Sequence, residues 1–436
     1  MAKRGLWWIG ASVLCFLMYA TTAKAEVQNV KVSGDVTVRG VYRTNYDLQR
    51  EYMDAVTGRD NKSFLMSTVR LKLDADLTDN VSATVRIINE RDWDQDSTAS
   101  DDIDMDLAYI TLREINYWPV TLTIGRQELR YGNLLVIGDG DLNSNALTGL
   151  TAKDLSARKA FDAIKAVFDL SPLTLDVFTA KIDEDTSTGS TSSDTDLYGV
   201  NARYEFPDYD AIGEAYYFSK KVGGTDHKRI DTVGIRGKLT PAENLTLNAE
   251  IAHQFGEYVA ERDMSADAIQ LGVDYAMVEY LYSPTIGLWY TYLSGQKAGE
   301  GGNQHNWDSM YSDQVCGEIV SALGLASKNV HIVNVKGSIK PVDKLTLSLD
   351  YYYFATAEKY AAGNHTFLGT NLTSYTYTLE GDKDYLGNEI DLRLAYDYTE
   401  DVQFGLLAAW FIPGSAFAEV NHNTAKEVIG SVKVTF

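Results

Sequence analysis

The amino-acid sequence predicts an all-β protein, an 18-stranded antiparallel transmembrane β-barrel of the outer membrane. Three observations lead to this fold class. Apolar and polar residues alternate with a period of two along most of the chain, which is typical of strands. Short and long connections alternate between these segments, and aromatic residues gather at both ends of the apolar faces. Membrane barrels show both features.

The first part of the chain has the features of a secretory signal peptide. Two basic residues precede a short apolar run, and small residues end at Ala25, where we expect cleavage. A retained N-terminal anchor is the alternative, but the apolar run is too short to span a membrane. We therefore predict a signal peptide at 1–25 and a single barrel domain over 26–436.

Eighteen segments carry the strand pattern, and most are long enough to cross a bilayer when tilted. They lie at 30–47, 63–77, 80–91, 103–114, 119–128, 159–170, 172–182, 194–206, 210–220, 229–240, 243–256, 264–281, 284–294, 328–340, 343–357, 384–399, 401–413 and 423–436. In the segment 343–357, leucine and tyrosine alternate with threonine, serine and aspartate. One face of each strand is therefore apolar and the other polar.

The connections between these segments sort by length. Tight turns, which contain six of the seven prolines, follow the even segments. Long polar loops follow the odd ones, at 48–62, 92–102, 129–158, 183–193, 221–228, 257–263, 295–327, 358–383 and 414–422. Outer-membrane barrels have short periplasmic turns and longer outside loops, whereas a soluble sandwich, the alternative, has no reason to sort them.

The loop at 129–158 differs from the others in its glycine and apolar content. A purely external loop does not need this composition. We expect the loop either to fold inward as a constriction or to form a structured cap on the barrel rim.

The last strand ends on an aromatic residue, Phe436. Val428, Val432 and Val434 share its parity, while Lys433 has the opposite one. We expect this strand to pair with the first, so that no edge remains, and Phe436 to lie in the periplasmic aromatic girdle. A terminal aromatic after alternating apolar residues also resembles the signal that barrel-assembly machinery recognises, so we predict that machinery as a partner.

A barrel of this size leaves an aqueous channel, so the predicted function is passage of a hydrophilic solute. Charges of both signs fall on the inward parity. The predicted pore-lining residues from parity are Arg39, Arg70, Arg86, Arg203, Arg236, Lys336, Glu389, Asp391 and Arg393. They either form a polar wall whose charges pair across strands, or a ladder of guanidiniums that bind carboxylates weakly along the path.

Five aromatic residues also fall on the inward parity: Tyr216, Phe218, Trp289, Tyr352 and Phe411. They can offer stacking faces for sugar rings. Packing at the rim explains them equally well.

Two blocks of the sequence resemble the alginate-export family of outer-membrane porins. They are "DLAYITLREINYWPVTLTIGRQELRYGNLLVIG" at 106–138 and "YLGNEIDLRLAYDYTEDVQFGLLAAWFIPGSAF" at 385–417. The resemblance implies a monomeric barrel with an arginine-rich lumen that passes an anionic polysaccharide such as alginate. It also implies that a periplasmic loop or partner can gate the channel.

The resemblance adds Arg126, next to Gln127 in the GRQ motif, to the predicted pore-lining residues, and it also marks the charged residues of the EIDLR strand. Arg126 shares the parity of Ile124, which places it on the lipid face. We therefore expect a bulge at Gly125 to turn Arg126 inward.

The charge and motif content excludes several functions. The chain is acidic, with a formal net charge of -22, which argues against nucleic-acid binding. Outer-membrane lipid and lipopolysaccharide are the expected surroundings. The acidic run at 92–102 lacks the glycine and the terminal glutamate of a calcium loop, and no CxxCH haem motif is present. No metal or cofactor is predicted.

Two rival functions remain, a barrel-embedded hydrolase and a structural barrel that sheathes a periplasmic partner. The six histidines are scattered, and no GxSxG or HExxH motif occurs. We therefore predict a channel without enzymatic activity.

Overall fold

The computed structural model describes residues 29–49, 61–93, 103–141, 150–184, 194–224, 227–259, 262–370 and 373–436. The strands are β1 (Asn29–Thr44), β2 (Lys62–Thr78), β3 (Val81–Asp92), β4 (Asp104–Leu112), β5 (Val120–Glu128), β6 (Ala160–Leu170), β7 (Leu173–Asp183), β8 (Thr195–Phe206), β9 (Ala211–Val222), β10 (Lys228–Ala242), β11 (Leu245–Val259), β12 (Arg262–Ala276), β13 (Thr285–Leu293), β14 (Val330–Val342), β15 (Leu345–Thr356), β16 (Gly363–Leu368), β17 (Ser374–Leu379), β18 (Tyr385–Asp397), β19 (Val402–Pro413) and β20 (Ala425–Thr435). Within the described ranges, the α-helix is α1 (Glu318–Ala322), and short 3-10 helices span Ile115–Tyr117, Lys153–Leu155 and Glu419–Asn421. The predicted signal peptide and most of the acidic run at 92–102 lie outside the described residues.

Eighteen of these strands form one closed antiparallel barrel. Each pairs with its neighbours in chain order, and β1 pairs with both β2 and β20, which closes the ring. β15 pairs directly with β18, so β16 and β17 form a separate hairpin in the intervening connection. The predicted fold class is therefore confirmed, and the hairpin and α1 are elements that the sequence did not predict.

Alternation of side chains gives the barrel its two faces. In β20, Glu427 is 1% exposed while the next residue, Val428, is 39% exposed. Apolar residues with this outward parity, such as Val200 and Val233, remain exposed on the outside, because a transmembrane barrel turns its apolar face to lipid. Among the described residues, no helix is long and apolar enough to span a membrane.

Several strand boundaries shift by a few residues from their predictions, and the largest difference is at the end of β12. The segment predicted at 264–281 is β12, which begins at Arg262 and ends at Ala276. Its pairing with β11 extends to Arg262 opposite Val259, so polar residues assigned to the loop belong to the ladder. The residues after Ala276 form a turn in which Tyr282 and Ser283 have positive φ, a conformation that ends a strand.

The barrel closes tightly at the seam between β1 and β20. The Gly34 amide donates to the Phe436 carbonyl at 2.8 Å, and the Phe436 amide donates to the Gly34 carbonyl at 3.0 Å. A Cβ at Gly34 would lie 2.5 Å from the Arg70 carbonyl oxygen and 2.9 Å from the Phe436 ring. Only glycine fits there, since the ring packs where a side chain would stand.

Candidate functional site: two loops that constrict the lumen

Two long connections on the same side of the barrel fold into its lumen. Loop A joins β5 to β6 (129–159), and loop B joins β13 to β14 (294–329). They meet through a parallel bridge between Ile137 and Tyr311, where the Gly138 and Asp139 amides both donate to the Tyr311 carbonyl, at 2.7 and 2.9 Å. The side with the long connections is the extracellular one, so both loops descend from that side.

Loop A reaches the middle of the opposite wall. The amide of Asn133 donates to the Glu250 carboxylate at 2.7 Å, and the Asn133 side chain donates to Gln270 at 3.0 Å. Arg236 donates from Nε to the Asn133 side-chain oxygen at 2.6 Å. Because Glu250, Gln270 and Arg236 are all central residues of their strands, loop A lies inside the barrel as a constriction and not on the rim as a cap.

A glycine permits this close approach. Gly132 has a φ of 59°, and a Cβ there would lie 2.7 Å from the Glu250 carboxylate oxygen. Both the backbone conformation and the space favour glycine.

The described second part of loop A, residues 150–159, binds the wall at β1 and β3. The Thr151 amide donates to Asp92 at 2.7 Å, and the Ala157 amide donates to Glu90 at 2.8 Å. Asp154 forms an ion pair of 2.6 Å with Arg43 of β1. Wall carboxylates therefore hold this part as Glu250 holds the first.

Loop B is held in the same way by β18. The buried Glu389 carboxylate accepts the amides of Ile319 and Val320 at 2.7 and 2.8 Å. Arg393 forms an ion pair of 2.7 Å with Glu318. Two residues predicted to line the pore thus fix the start of α1, and this is the contact that sets the position of loop B.

Two further groups of loop B have shifted acidities. Burial, together with the nearby Glu389 charge, raises the pKa of the Cys316 thiol to about 12. Burial alone would raise the pKa of Asp308, but the neighbouring Lys220 and Lys228 ammonium groups hold it well below its usual range. Asp308 is therefore an anionic contact between loop B and the wall.

The predicted pore-lining cations face the lumen as expected from parity, and most pair with a carboxylate. The ion pairs are Arg70 with Asp35 (2.8 Å), Arg86 with Asp106 (2.5 Å), Arg203 with Glu205 (2.9 Å), Arg236 with Glu214 (3.4 Å), Lys336 with Asp274 (2.9 Å) and Arg393 with Asp350 (2.5 Å). Asp391 lies 3.3 Å from Arg393. Arg39 instead donates to the Thr68 hydroxyl at 3.2 Å. These contacts correspond to the polar wall with paired charges; a role in the solute path stays a prediction.

Arg126 takes a different position from the others. It lies opposite Asp162 in the pairing of β5 with β6, as Ile124 lies opposite the outward-facing Ile164. Gly125 does have an unusual φ of 122°, but the pairing shows no register shift there. The expected inward turn of Arg126 is therefore not met. Its guanidinium binds Asp162 and, at 2.5 Å, Asp141 in loop A.

The inward aromatic residues separate into two groups. Phe218 and Phe411 are fully buried, and Tyr216 and Tyr352 nearly so, which indicates packing. Trp289 is half-buried and lines a lumen cavity of about 490 Å³ together with Tyr352, Asn334, Gln270, Lys336 and Arg393. We call this cavity the lumen vestibule. Loop A contributes Asn133 and Leu134 to its lining, loop B contributes Gln314 to Cys316, and the wall adds Thr291, Ile332 and Asp350.

Sequence reasoning missed loop B. Its buried residues Ile319, Val320, Leu323 and Leu325 pack into the main apolar cluster inside the barrel. The signal was present as the apolar run "EIVSALGLA" in a loop that was otherwise polar. Within the described ranges, no group of three or more His, Cys, Asp or Glu side chains is arranged to hold a metal ion.

Comparison with known protein families gives one match. The model of a family described as alginate export matches residues 35–431. No curated protein matches the sequence.

Solved structures share the barrel. Pseudomonas aeruginosa OccK7 (OpdD) aligns with a TM-score of 0.55 at 12% identity, covering 94% of this chain and 99% of that one. P. aeruginosa OccK2 (OpdF) in complex with glucuronate aligns at 0.57 and 12% identity, covering 95% and 100%. Acinetobacter baumannii OccAB4 aligns at 0.57 and 14% identity, covering 94% and 99%. At these identities the likeness concerns the fold.

Proposed function

Because the chain belongs to the alginate export family, we propose that it is a channel through which anionic saccharides, such as alginate-like polymers, diffuse passively. It is a porin-like barrel of a Gram-negative outer membrane. We propose the class of solute, and we also propose that the channel catalyses no reaction.

The observation that carries the proposal is the composition of the lumen vestibule. Trp289 offers an aromatic ring, while Lys336 and Arg393 supply cationic donors in the same cavity. Asn334 and Gln270 add amide groups for hydroxyls. A sugar acid needs these three contacts, since its ring packs on aromatic faces and its carboxylate binds ammonium and guanidinium groups. Glucuronate, which occupies the structural neighbour OccK2, is such a molecule.

Because the wall charges are paired, the wall should bind a solute weakly, as transport requires. Lys336 lies 2.9 Å from Asp274, and Arg393 lies 2.5 Å from Asp350. A solute carboxylate must compete with Asp274 and Asp350 for these cations, so it binds weakly and leaves readily. Conduction needs binding of this kind.

The test is conductance of the purified protein in planar bilayers. We expect discrete channels in potassium chloride and concentration-dependent block by glucuronate and by short alginate oligomers. Trp289→Ala and Lys336→Gln should each weaken the block. Trp118→Ala, which changes an exposed periplasmic turn residue, is the matched control and should leave it unchanged.

Two results would contradict the proposal. Channels that glucose blocks as well as glucuronate would exclude anionic saccharides as the preferred solute. An absence of any single-channel current would favour a barrel that sheathes a partner.

A further inference from the structure

A row of charged residues crosses the outside of the barrel at its extracellular end. Lys181 of β7 lies opposite Asp196 of β8, which lies opposite Lys221 of β9, which in turn lies opposite Arg229 of β10. Lys221 and Arg229 are therefore two cations on directly paired positions of neighbouring strands. We call them the rim pair.

The neighbouring carboxylates do not explain the rim pair. Asp196 lies 2.8 Å from Lys181, and the Arg229 Nε lies 2.9 Å from Asp231 of its own strand. Lys221 stands over the Tyr198 ring, 4.9 Å from its centroid. Among the described residues, no carboxylate lies within ion-pair distance of Lys221. Like charges directly opposite each other destabilise a sheet, so this arrangement calls for an anion from outside the chain.

The rim pair lies above the lipid-facing band. Four residues before Lys221 along β9, Tyr217 lies between Val200 and Val233, all three exposed on the outer face. Four residues of strand span about 13 Å. The rim pair therefore lies beyond the aliphatic band and its aromatic residues, at the level of the outer-leaflet head groups.

A cavity on this outer rim gives the anion a place. Its volume is about 330 Å³. Besides the rim pair, its charged or titratable lining consists of Asp194, Asp196, His227, Lys228 and Glu257. Of these, Lys228 lies 3.1 Å from Asp308 of loop B. Both cations of the rim pair are well exposed, so a lipid head group can reach them.

We propose that the rim pair binds a phosphate group of lipopolysaccharide in the outer leaflet. A guanidinium and an ammonium side by side provide the donors that a phosphate binds most strongly. Lipid A carries such phosphates at the level where the rim pair lies. The site is separate from the lumen vestibule, and the proposal does not depend on the identity of the transported solute.

The experiment measures lipid binding by native mass spectrometry of the detergent-solubilised full-length protein. The probes are bisphosphorylated lipid A, the same lipid without phosphates, and inorganic phosphate. Lys221→Gln combined with Arg229→Gln should lower the affinity for bisphosphorylated lipid A roughly thirtyfold, the loss expected for two basic side chains beside an anionic lipid. Arg229→Lys should keep most of the affinity.

Two further variants make the result specific. Lys426→Gln is the matched control, because Lys426 is an exposed cation at the extracellular end of β20 whose paired neighbours, Thr44 and Trp410, are uncharged. The affinity of Lys426→Gln for bisphosphorylated lipid A should equal that of the wild type. Glu257→Gln removes a carboxylate from the cavity and should strengthen binding.

Several outcomes would overturn the proposal. They are equal binding of the dephosphorylated lipid, an equal loss in Lys426→Gln, and an unchanged affinity in the double variant. Competition by inorganic phosphate at the lipid's own concentration would assign the site to free phosphate. Weaker binding in Glu257→Gln would indicate a bridging cation and exclude direct contact. Unaltered bilayer conductance of each variant verifies that the barrel is intact.

Discussion

Removing the Glu389 carboxylate should release loop B from the wall. Its two oxygens each accept one backbone amide at the start of α1, from Ile319 and Val320. A buried donor left without its acceptor costs about 1–3 kcal/mol, so Glu389→Ala, which leaves two such amides, removes about 2–6 kcal/mol of anchoring. Glu389→Gln should cost less, because its amide oxygen still accepts one of the two donors.

The single thiol of the described chain reports this release. At pH 8, a Cys316 pKa of about 12 leaves roughly one molecule in ten thousand as thiolate. Exposure to water and loss of the Glu389 charge return the pKa towards its ordinary value of 9.0. The thiolate fraction then rises up to about a thousandfold, and the rate of modification by a methanethiosulfonate reagent rises with it.

The assay is the labelling rate of Cys316 in membranes, read together with single-channel conductance, which should increase. Asp397→Ala is the control, since Asp397 is an exposed carboxylate of the same strand β18 whose side chain, among the described residues, accepts a hydrogen bond from Gln403 alone. An unchanged labelling rate in Glu389→Ala would refute the reasoning, because it would mean that the two amides do not hold loop B. An equal rise in Asp397→Ala would refute it too, since the effect would not depend on those amides.

Three other predictions concern the seam, loop A and acidity. Gly34→Ala should destabilise the barrel by about 1–3 kcal/mol through overpacking, seen as a lower melting temperature, whereas Gly430→Ala, where a Cβ meets nothing within 4 Å, should not. Gly132→Ala should raise conductance, because the new Cβ collides with Glu250 and displaces loop A. Because the pKa of Asp308 is lowered in the fold, its stabilising contribution is complete above its unfolded value of about 3.9 and is lost as pH falls through the lower folded value. Hydrogen exchange of loop B, corrected for intrinsic rates, should therefore stay slow from pH 7 to about pH 4 in the wild type. In Asp308→Asn, which lacks this contribution, exchange should be faster over the same range.

The barrel was predictable because each strand has one face in lipid and one towards the lumen. This demand repeats every second residue, so the alternation of Ser431, Val432 and Lys433 is visible in the sequence alone. The glycine and apolar residues of loop A marked it in the sequence as a packed segment, but they left open whether it forms a constriction or a cap, which only its contact with Glu250 decides. Loop B carries the same signal only in the short run around Ile319, between polar residues on both sides.

The contacts of the site were not predictable in this way. The Arg393–Glu318 pair joins a strand to a loop 75 residues away, and Arg43 joins Asp154 across 111 residues. Which carboxylate meets which guanidinium depends on the register of strands and the path of loops, and local periodicity fixes neither. Arg126 shows the same limit. Its motif marked it as important, but only the ion pair with Asp141 showed that it holds loop A.

The way in which the wall holds the loops has a consequence for how such channels diversify. Glu90, Asp92, Glu250 and Glu389 bind main-chain amides, and every residue except proline offers one. Side chains at positions such as Ala157 or Ile319 can therefore be exchanged without losing the attachment. The constriction can acquire a new solute preference by point substitution while its scaffold stays in place, and a designer can use the same freedom to change what the pore admits.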